Sequence, residues 1–406
     1  MMLGFGAGFY KRFLKSTTRR FAGFIQDTLY CPFLTISQYC FMKRIVKNLF
    51  CGRIFSLAGL VGLIFLAGCY SPPVQPEGEP LAPETSAGET EIIQEQVPEE
   101  LELPPQGDNL PVTAYQAIWA YLVAGREQAL NINHPISDLV YFGADVDAYG
   151  KLADVPNFKN IASFRGRKHL VVKCDGRALT HFVLAEGSSE RKALIRDLLE
   201  AAKPYDGLQI DFEYVPSRDG GVFLSFLEEL RAGLGSRIFS AALPARTKTQ
   251  LNDVYDYTKI KTLVDYILVM AYDEHWSASE PGPIASMGWC QRVAKYALET
   301  IGPEKLIMGL PFYGRSWGSI NPNRAYLYSG IEEIIHKQNI TEVNRAAGIP
   351  TFRYETSVSL TVYYEDDYSL SARLAMYKKM GVAAVGFWRL GQETPAFWPL
   401  IVLGED

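Results

Sequence analysis

Short apolar segments recur through the chain from Val112 onward, and amphipathic helical segments separate most of them. The pattern predicts eight strands, at 117–123, 138–142, 169–173, 207–213, 238–243, 266–272, 306–312 and 383–388. It also predicts helices over 193–202 and 222–234, the second stopped by Gly235. Eight strand–helix units predict an α/β protein of the (β/α)8 TIM barrel class, over residues 112–406. A doubly wound sheet is disfavoured because its glycine-rich first turn is missing from the sequence.

The first part of the chain has the order of a bacterial export signal. A cationic stretch from Met42 is followed by an apolar run that ends in the tetrapeptide LAGC at 66–69, which resembles a lipobox. We therefore expect a lipoprotein signal peptide over 42–69, with Cys69 as the lipidated residue. Residues 1–41 do not fit this scheme, and we interpret them as a doubtful extension ahead of a true start at Met42. The expected location is the cell envelope, on its periplasmic or outer face.

Residues 70–111 have the composition of a disordered tether. Positions 71–111 contain nine Glu, one Asp and nine Pro but no Lys or Arg, so they bury too little apolar surface to offset the entropy of ordering. We expect membrane contact through the N-terminal lipid only. The formal net charge of −5 argues against a nucleic-acid partner, and no Cys or His spacing predicts a metal or cofactor site. The protein is expected to be a monomer.

The segment DGLQIDFE at 206–213 carries the strongest chemical signal. Period-two alternation places Leu208, Ile210 and Phe212 on one face of the strand, and Gln209, Asp211 and Glu213 on the other. Burying an unpaired carboxylate inside a barrel costs free energy, so a purely structural role does not explain Asp211 and Glu213. Barrel enzymes have their active sites at the carboxyl ends of the strands, where Glu213 would lie. Burial and like charge would raise a carboxyl pKa, as a general acid requires.

This segment resembles the DGxDxDxE signature of glycoside hydrolase family 18, the chitinase and N-acetylglucosaminidase family. Three further motifs resemble the family in the correct order, namely MAYD at 270–273, GLPFYGR at 309–315 and GFWRLG at 386–391. The form AYDEHW and the ending GFWRLGQE are most similar to the bacterial cell-wall branch, typified by spore-cortex-lytic glucosaminidases. The resemblance covers some 180 residues.

The resemblance implies a retaining, substrate-assisted hydrolysis of β-1,4-linked N-acetylglucosamine glycans. Glu213 would protonate the glycosidic oxygen, the substrate's own acetamido carbonyl would attack, and Asp211 and Tyr272 would orient the acetamido group. Asp206 and Gln209 would support them. The residues implied to bind substrate are Met270, Asp273, Trp276, Tyr313, Arg315 and Trp388, and His275 would contact sugar or cap its loop.

Two features depart from the family pattern. Gln209 replaces an Asp that is thought to share a proton with the middle Asp, which a neutral amide cannot do. The amide can still hydrogen-bond Asp211 and hold it in place, so we expect activity to persist with an altered pH profile. A short insertion at about 317–359 is too small for the full insertion domain of deep-cleft chitinases, and we expect a comparatively open cleft.

The sequence is compatible with several functions. The substrate would be peptidoglycan in the cell envelope, or alternatively chitin and its oligosaccharides. A non-catalytic lectin on the same barrel is another alternative, although such proteins typically lose the acid that is present here as Glu213. The segment GRSWG at 314–318 fits the GxSxG pattern of serine hydrolases, but no helix is predicted after Ser316, and His336 is the only later histidine.

Overall fold

A computed structural model describes most of the C-terminal three quarters of the chain. The described residues are Pro104, 109–318, 323–356 and 359–404. They belong to one compact unit, Glu95–Asp406.

The predicted N-terminal segments at 1–41 and 42–69, including Cys69, lie outside the described residues. Of the predicted tether, the structure describes only the last part. There the carbonyl oxygens of Pro104 and Pro111 accept hydrogen bonds of 2.9 Å from the side chains of Tyr368 and Ser371. Within the described part of the chain, no helix has the length and apolar character needed to cross a membrane.

Sixteen strands and seven α-helices form the described part of the chain. The strands are β1 (Thr113–Tyr115), β2 (Ala117–Val123), β3 (Asp138–Val146), β4 (Leu152–Ala153), β5 (Arg167–Lys173), β6 (Gly207–Asp211), β7 (Ile238–Pro244), β8 (Tyr266–Met270), β9 (Leu306–Pro311), β10 (Gly314–Gly318), β11 (Arg324–Tyr326), β12 (Asn344–Ala346), β13 (Ile349–Glu355), β14 (Ser359–Tyr363), β15 (Ala384–Trp388) and β16 (Ile401–Leu403). The helices are α1 (Arg177–Leu184), α2 (Ser189–Ala201), α3 (Gly220–Leu234), α4 (Tyr257–Ile260), α5 (Met287–Thr300), α6 (Tyr328–Lys337) and α7 (Asp367–Lys379).

Eight of these strands run parallel and close into a barrel. Their spatial order is β2, β3, β5, β6, β7, β8, β9 and β15, and β15 pairs with β2 to complete the ring. Each of the eight predicted strands coincides with one of them, so the predicted (β/α)8 barrel is confirmed. Outside the ring, β4 pairs antiparallel with β3, and β1 pairs with β16.

Three barrel strands end earlier than predicted, β9 by one residue and β6 and β8 by two, and the last two differences concern the site. β6 ends at Asp211 and β8 at Met270, so Glu213 and Tyr272 lie in the first turn after their strands. The chain leaves β8 sharply, because Asp273 has a φ of 56°. Parallel strands have their carboxyl ends at one rim of a barrel, so these turns meet there.

The side chains of β6 alternate between two cores, as predicted. Leu208, Ile210 and Phe212 pack outward into the main core, which they share with Phe223, Phe226, Leu227 and Leu230 of α3. Gln209 and Asp211 point into the barrel, whose interior apolar cluster is Trp119, Tyr121, Val140, Val171, Ala242, Leu268, Ile307 and Ala384. Helix α3 ends at Leu234, and Gly235 follows with a φ of 61°, which confirms the predicted stop.

The predicted insertion folds as a small sheet with its own core. Strands β10 to β14 form an antiparallel sheet in the order β11, β10, β14, β13 and β12. Helix α6 lies in the same segment, and the core residues are Ile331, Phe352, Val362 and Tyr364. No secondary structure was predicted for this segment from the sequence, so its sheet is seen only in the structure.

Candidate active site

A cavity of about 460 Å³ opens at the carboxyl ends of the barrel strands. Its lining residues are Tyr121, Phe142, Lys173, Asp211, Glu213, Ala242, Pro244, Ala245, Met270, Tyr272, Asp273, Trp289, Tyr313 and Trp388. The cavity thus brings together seven of the predicted site residues, which are Asp211, Glu213, Met270, Tyr272, Asp273, Tyr313 and Trp388.

Glu213 lies at the mouth of this cavity, just beyond the end of β6. Its carboxyl is reached by solvent through the cleft, yet the surrounding protein displaces enough water to raise its pKa. The negative charges of Asp175 and Asp273 raise this pKa further, and the ammonium of Lys173 opposes them. Glu213 therefore holds a proton more firmly than an isolated carboxyl, which suits a proton donor.

Asp211 lies deeper, at the last position of β6. Its residue is 7% exposed, and its Oδ1 atom is buried without a hydrogen-bond partner among the described residues. Burial, followed by the charges of Glu213 and Asp175, raises the pKa of Asp211 to about 8, against the opposing effect of Lys173. A buried polar oxygen without a partner is costly, and in a cavity wall it is available to a donor on a ligand.

Gln209 does not bond to Asp211, and that expectation was wrong. The hydroxyl of Tyr121 donates to its Oε1, and its Nε2 donates to Ser240 Oγ at 3.1 Å. Both ends of the amide are thus bonded, Oε1 to β2 from across the barrel and Nε2 to the adjacent strand β7. Tyr121 is a site residue that the sequence analysis did not identify.

Asp206 does not support the site. It lies before β6, at the opposite end of the barrel, and its exposed carboxylate accepts a 2.8 Å hydrogen bond from the backbone amide of Lys168. Its role is to fix the entry of the chain into β6. The motif match placed it near the acid, but strand direction separates them by the length of the strand.

Tyr313 and Arg315 both bond to Asp273 at the rim. The hydroxyl of Tyr313 donates to Asp273 Oδ1 at 2.6 Å, and Arg315 Nη2 donates to the same oxygen at 2.8 Å. Arg315 lies on β10, so this ion pair ties the insertion sheet to the loop after β8. Arg315 itself does not line the cavity and acts there through Asp273 and Tyr313.

Tyr272 lines the cavity beside the two carboxyls. Burial raises the pKa of its hydroxyl well above the usual value, and the neighbouring Asp211 and Glu213 raise it further. The hydroxyl is therefore neutral and able to donate. Gly309 on β9 makes room for this ring, because a Cβ there would lie 3.0 Å from the Tyr272 ring and 2.8 Å from the carbonyl oxygen of Val269.

Trp388, at the end of β15, forms an apolar wall of the cavity. Its ring centroid lies 5.3 Å from that of Tyr121 and 4.9 Å from that of Phe142. Met270 belongs to the same interior cluster. These contacts hold the indole against the barrel interior and leave part of it facing the cavity.

The predicted Trp276 and His275 lie in the loop after β8. Trp276 is 53% exposed and is not among the residues that line the cavity. Its carbonyl oxygen accepts a 3.2 Å hydrogen bond from Trp317 Nε1, so the loop is fastened to the insertion sheet. His275 Nδ1 donates to Pro283 O at 2.7 Å, in agreement with the loop-capping alternative.

The matches with known proteins agree with this geometry. The family model for Glycosyl hydrolases family 18 matches residues 124–393. The chain belongs to this family.

The chain is similar to bacterial proteins that are named as a glycosylase and as a cortical fragment-lytic enzyme. The chain is 30% identical over 229 residues to the uncharacterized glycosylase YvbX of Bacillus subtilis, covering 53% of this chain and 66% of that protein. It is 26% identical over 239 residues to the cortical fragment-lytic enzyme of Bacillus anthracis, covering 55% of each. The chain therefore spans between half and two thirds of the length of these relatives.

Two solved structures share the fold. The spore cortex-lytic enzyme SleL of Bacillus cereus superposes with a TM-score of 0.63 at 23% identity, covering 73% of this chain and 75% of the other. A chitinase of Chromobacterium violaceum superposes with a TM-score of 0.62 at 21% identity, covering 70% of this chain and 97% of the other.

The family 18 cleft also contains charged residues that the sequence analysis missed. Lys173, at the end of β5, forms ion pairs with Asp145, at 2.8 Å, and with Asp175. Lys173 ends β5, Asp175 follows it, and Asp145 is the last residue but one of β3, so a position near a strand end was the available signal for all three. Trp289 of α5 also lines the cavity and had no such signal.

The serine hydrolase alternative is wrong. Ser316 lies in the middle of β10, with no exposed surface and its hydroxyl 3.5 Å from that of Tyr326. A nucleophile of that class needs a tight strand-to-helix turn, and Ser316 has none. Among the described residues, no group of three or more His, Cys, Asp or Glu side chains is arranged to hold a metal ion.

Proposed function

We propose that this chain hydrolyses β-1,4-linked glycans that contain N-acetylglucosamine, with retention of configuration and with peptidoglycan of the cell envelope as its substrate. The observation that carries the proposal is the pair Asp211 and Glu213, two carboxyls with raised pKa values on one cavity wall. Membership of family 18 and the similarity to a cortical fragment-lytic enzyme support it.

In the proposed mechanism Glu213 transfers the proton and Asp211 holds the acetamido group. Because the pKa of Asp211 is raised to about 8, the pair retains a proton near neutral pH, and in the proposed reactive form that proton is on Glu213, whose pKa is also raised. Glu213 donates this proton to the glycosidic oxygen as the bond to the anomeric carbon breaks. The acetamido carbonyl oxygen of the same sugar attacks that carbon and forms an oxazolinium ring.

Asp211 and Tyr272 would hold the acetamido group during this step. The unpartnered Oδ1 of Asp211 accepts the acetamido N–H, and its negative charge stabilises the positive ring. The neutral hydroxyl of Tyr272 donates to the acetamido oxygen and keeps it in line, while Trp388 supports the sugar's methyl group. Glu213, now deprotonated, takes a proton from a water molecule. The oxygen of that water attacks the anomeric carbon from the face that the leaving group occupied, and this attack opens the oxazolinium ring.

The products released from two polymers test this proposal. Incubation with purified sacculi is expected to release fragments with N-acetylglucosamine at the new reducing end, which mass spectrometry after borohydride reduction identifies. Faster release from chitin oligosaccharides would favour the chitinase alternative. Binding to both polymers without any new reducing ends would instead favour a glycan-binding lectin.

We also propose that the chain is exported and anchored by a lipid on Cys69, since the stretch at 42–69 has the order of a lipoprotein signal. The variant Cys69→Ser is expected to move the protein from the membrane fraction to soluble fractions, because it removes the thiol that carries the lipid. Labelling with a fatty-acid analogue measures this, with Cys51→Ser as the matched control. Undiminished labelling of the Cys69→Ser variant would contradict the assignment.

A further inference from the structure

The amide of Gln209 lies inside the barrel with both of its polar ends bonded. Tyr121 donates to Oε1, and Nε2 donates to Ser240 at 3.1 Å. Gln209 and Ser240 have no exposed surface, and Tyr121 is 2% exposed. Water therefore does not compete for these bonds, which fix the amide in one orientation.

Asp211 follows on the same face of β6, because it is two positions further along the strand. Its buried Oδ1 has no hydrogen-bond partner among the described residues. A free end of the neighbouring amide would satisfy part of this carboxyl, since unpaired buried groups are costly. Tyr121 and Ser240 occupy those ends instead.

We propose that Tyr121 and Ser240 are positioning residues that hold the Gln209 amide away from Asp211, so that the proton of Asp211 exchanges only with Glu213 and the cleft. The inference rests on the roles proposed above for Asp211 and Glu213. In this proposal the hydroxyls of Tyr121 and Ser240 determine how Asp211 and Glu213 share their proton.

Other ionisable groups also face Asp211, and they influence its pKa in the unmodified chain and in every variant. They are Glu213 after β6, Lys173 and Asp175 at the end of β5, Tyr121 on β2, Tyr272 after β8 and Tyr255 after β7. Burial holds the pKa of Tyr121 well above its usual value, so its hydroxyl is neutral. Removing the hydroxyl of Tyr121 or of Ser240 therefore changes no charge around Asp211.

The two ends of the amide give opposite expectations. Tyr121→Phe frees the acceptor Oε1, which then bonds to protonated Asp211 and stabilises its neutral form. The alkaline limb of kcat/KM, where the pair loses its last proton, should move up by about one pH unit. Ser240→Ala frees the donor Nε2, which bonds to the carboxylate, so the same limb should move down by about one pH unit.

Two further variants separate this effect from a general loss of packing. In a Gln209→Met background, neither Tyr121→Phe nor Ser240→Ala should move the limb, because the amide that transmits the effect is gone. Tyr205→Phe removes a different buried hydroxyl, which donates to Pro156 O at 3.1 Å, and should leave the limb unchanged. Shifts of equal sign, no shifts, or shifts that persist without Gln209 would each overturn the proposal.

A direct titration keeps this inference distinct from the proposed function. Carboxyl ¹³C NMR of Asp-labelled protein follows Asp211, with Asp211→Asn to assign its signal, and the opposite shifts should appear in its midpoint. If the unmodified chain does not hydrolyse the glycan but the two variants shift the Asp211 midpoint in opposite directions, the proposed function is wrong and the inference stands. Hydrolysis with an unmoved Asp211 midpoint in both variants would remove the inference alone.

Discussion

Glu213→Gln is expected to lower kcat on an N-acetylated chitooligosaccharide by about 10²–10⁴-fold, the usual contribution of a positioned general acid. The amide has nearly the shape of the carboxyl but no proton to give to the leaving oxygen. Sugar binding should persist, because the walls formed by Trp388, Tyr272 and Tyr313 are unchanged. Turnover and oligosaccharide affinity, measured on the same preparation, test both parts.

A matched control is Glu228→Gln, which makes the same chemical change on the exposed face of α3. It should leave kcat within a factor of about two, as surface substitutions usually do. If Glu213→Gln turns over substrate about as fast as the control, Glu213 is not the general acid. Loss of turnover together with loss of binding and of cooperative unfolding would mean that the substitution disrupts the cleft itself.

The barrel was predictable because its pattern is local and repeated. Each barrel strand is a short apolar run between helical segments, so the eight runs were identifiable one by one. The ends of the strands were less certain, since hydrophobicity continues through Phe212 and Ala271 after the hydrogen bonding of β6 and β8 has ended. The insertion sheet was not predicted, although Phe352 and Tyr354 in β13 and Leu360 and Val362 in β14 alternate with polar residues and were an available strand signal.

The site was predictable where a motif fixes both residue type and position on a strand. Asp211, Glu213, Tyr272 and Trp388 come from strand ends, and parallel strands bring those ends together. Asp206 belongs to the same motif but lies at the wrong end of its strand. Motif membership alone therefore does not place a residue in the cleft.

The partners of Gln209 could not be predicted, because they depend on the registers of three strands. Ser240 lies opposite Gln209 on β7, and Tyr121 reaches it from across the barrel. The sequence reveals alternation within each strand but not which inward side chains meet. The orphaned oxygen of Asp211 follows from that same three-dimensional arrangement.

Removal of the acetamido group from the substrate is expected to abolish cleavage, with rates at least about 10²-fold lower on fully deacetylated oligosaccharides than on matched acetylated ones. In the proposed mechanism the acetamido oxygen is the nucleophile, so a sugar without it offers nothing to attack the anomeric carbon. Binding can survive this change, because the aromatic walls contact the ring. Turnover on matched oligomers of equal length measures the effect, and equal rates would show that an enzyme carboxylate attacks instead.

The same mechanism makes a thiazoline mimic of the cyclised intermediate a strong inhibitor, expected to bind at least about 10²-fold more tightly than N-acetylglucosamine. In the proposed mechanism Asp211 stabilises the positive ring, a role for which its buried Oδ1 is available because it has no other partner among the described residues. Asp211→Ala should therefore weaken the thiazoline and lower kcat by similar factors, because both depend on one hydrogen bond. Asp197→Ala is the matched control, because its carboxylate lies on α2, outside the cavity, and pairs with the exposed Arg196 at 2.8 Å. A thiazoline affinity that is unchanged in Asp211→Ala while catalysis falls would separate the two effects, and the role proposed here for Asp211 would then be wrong.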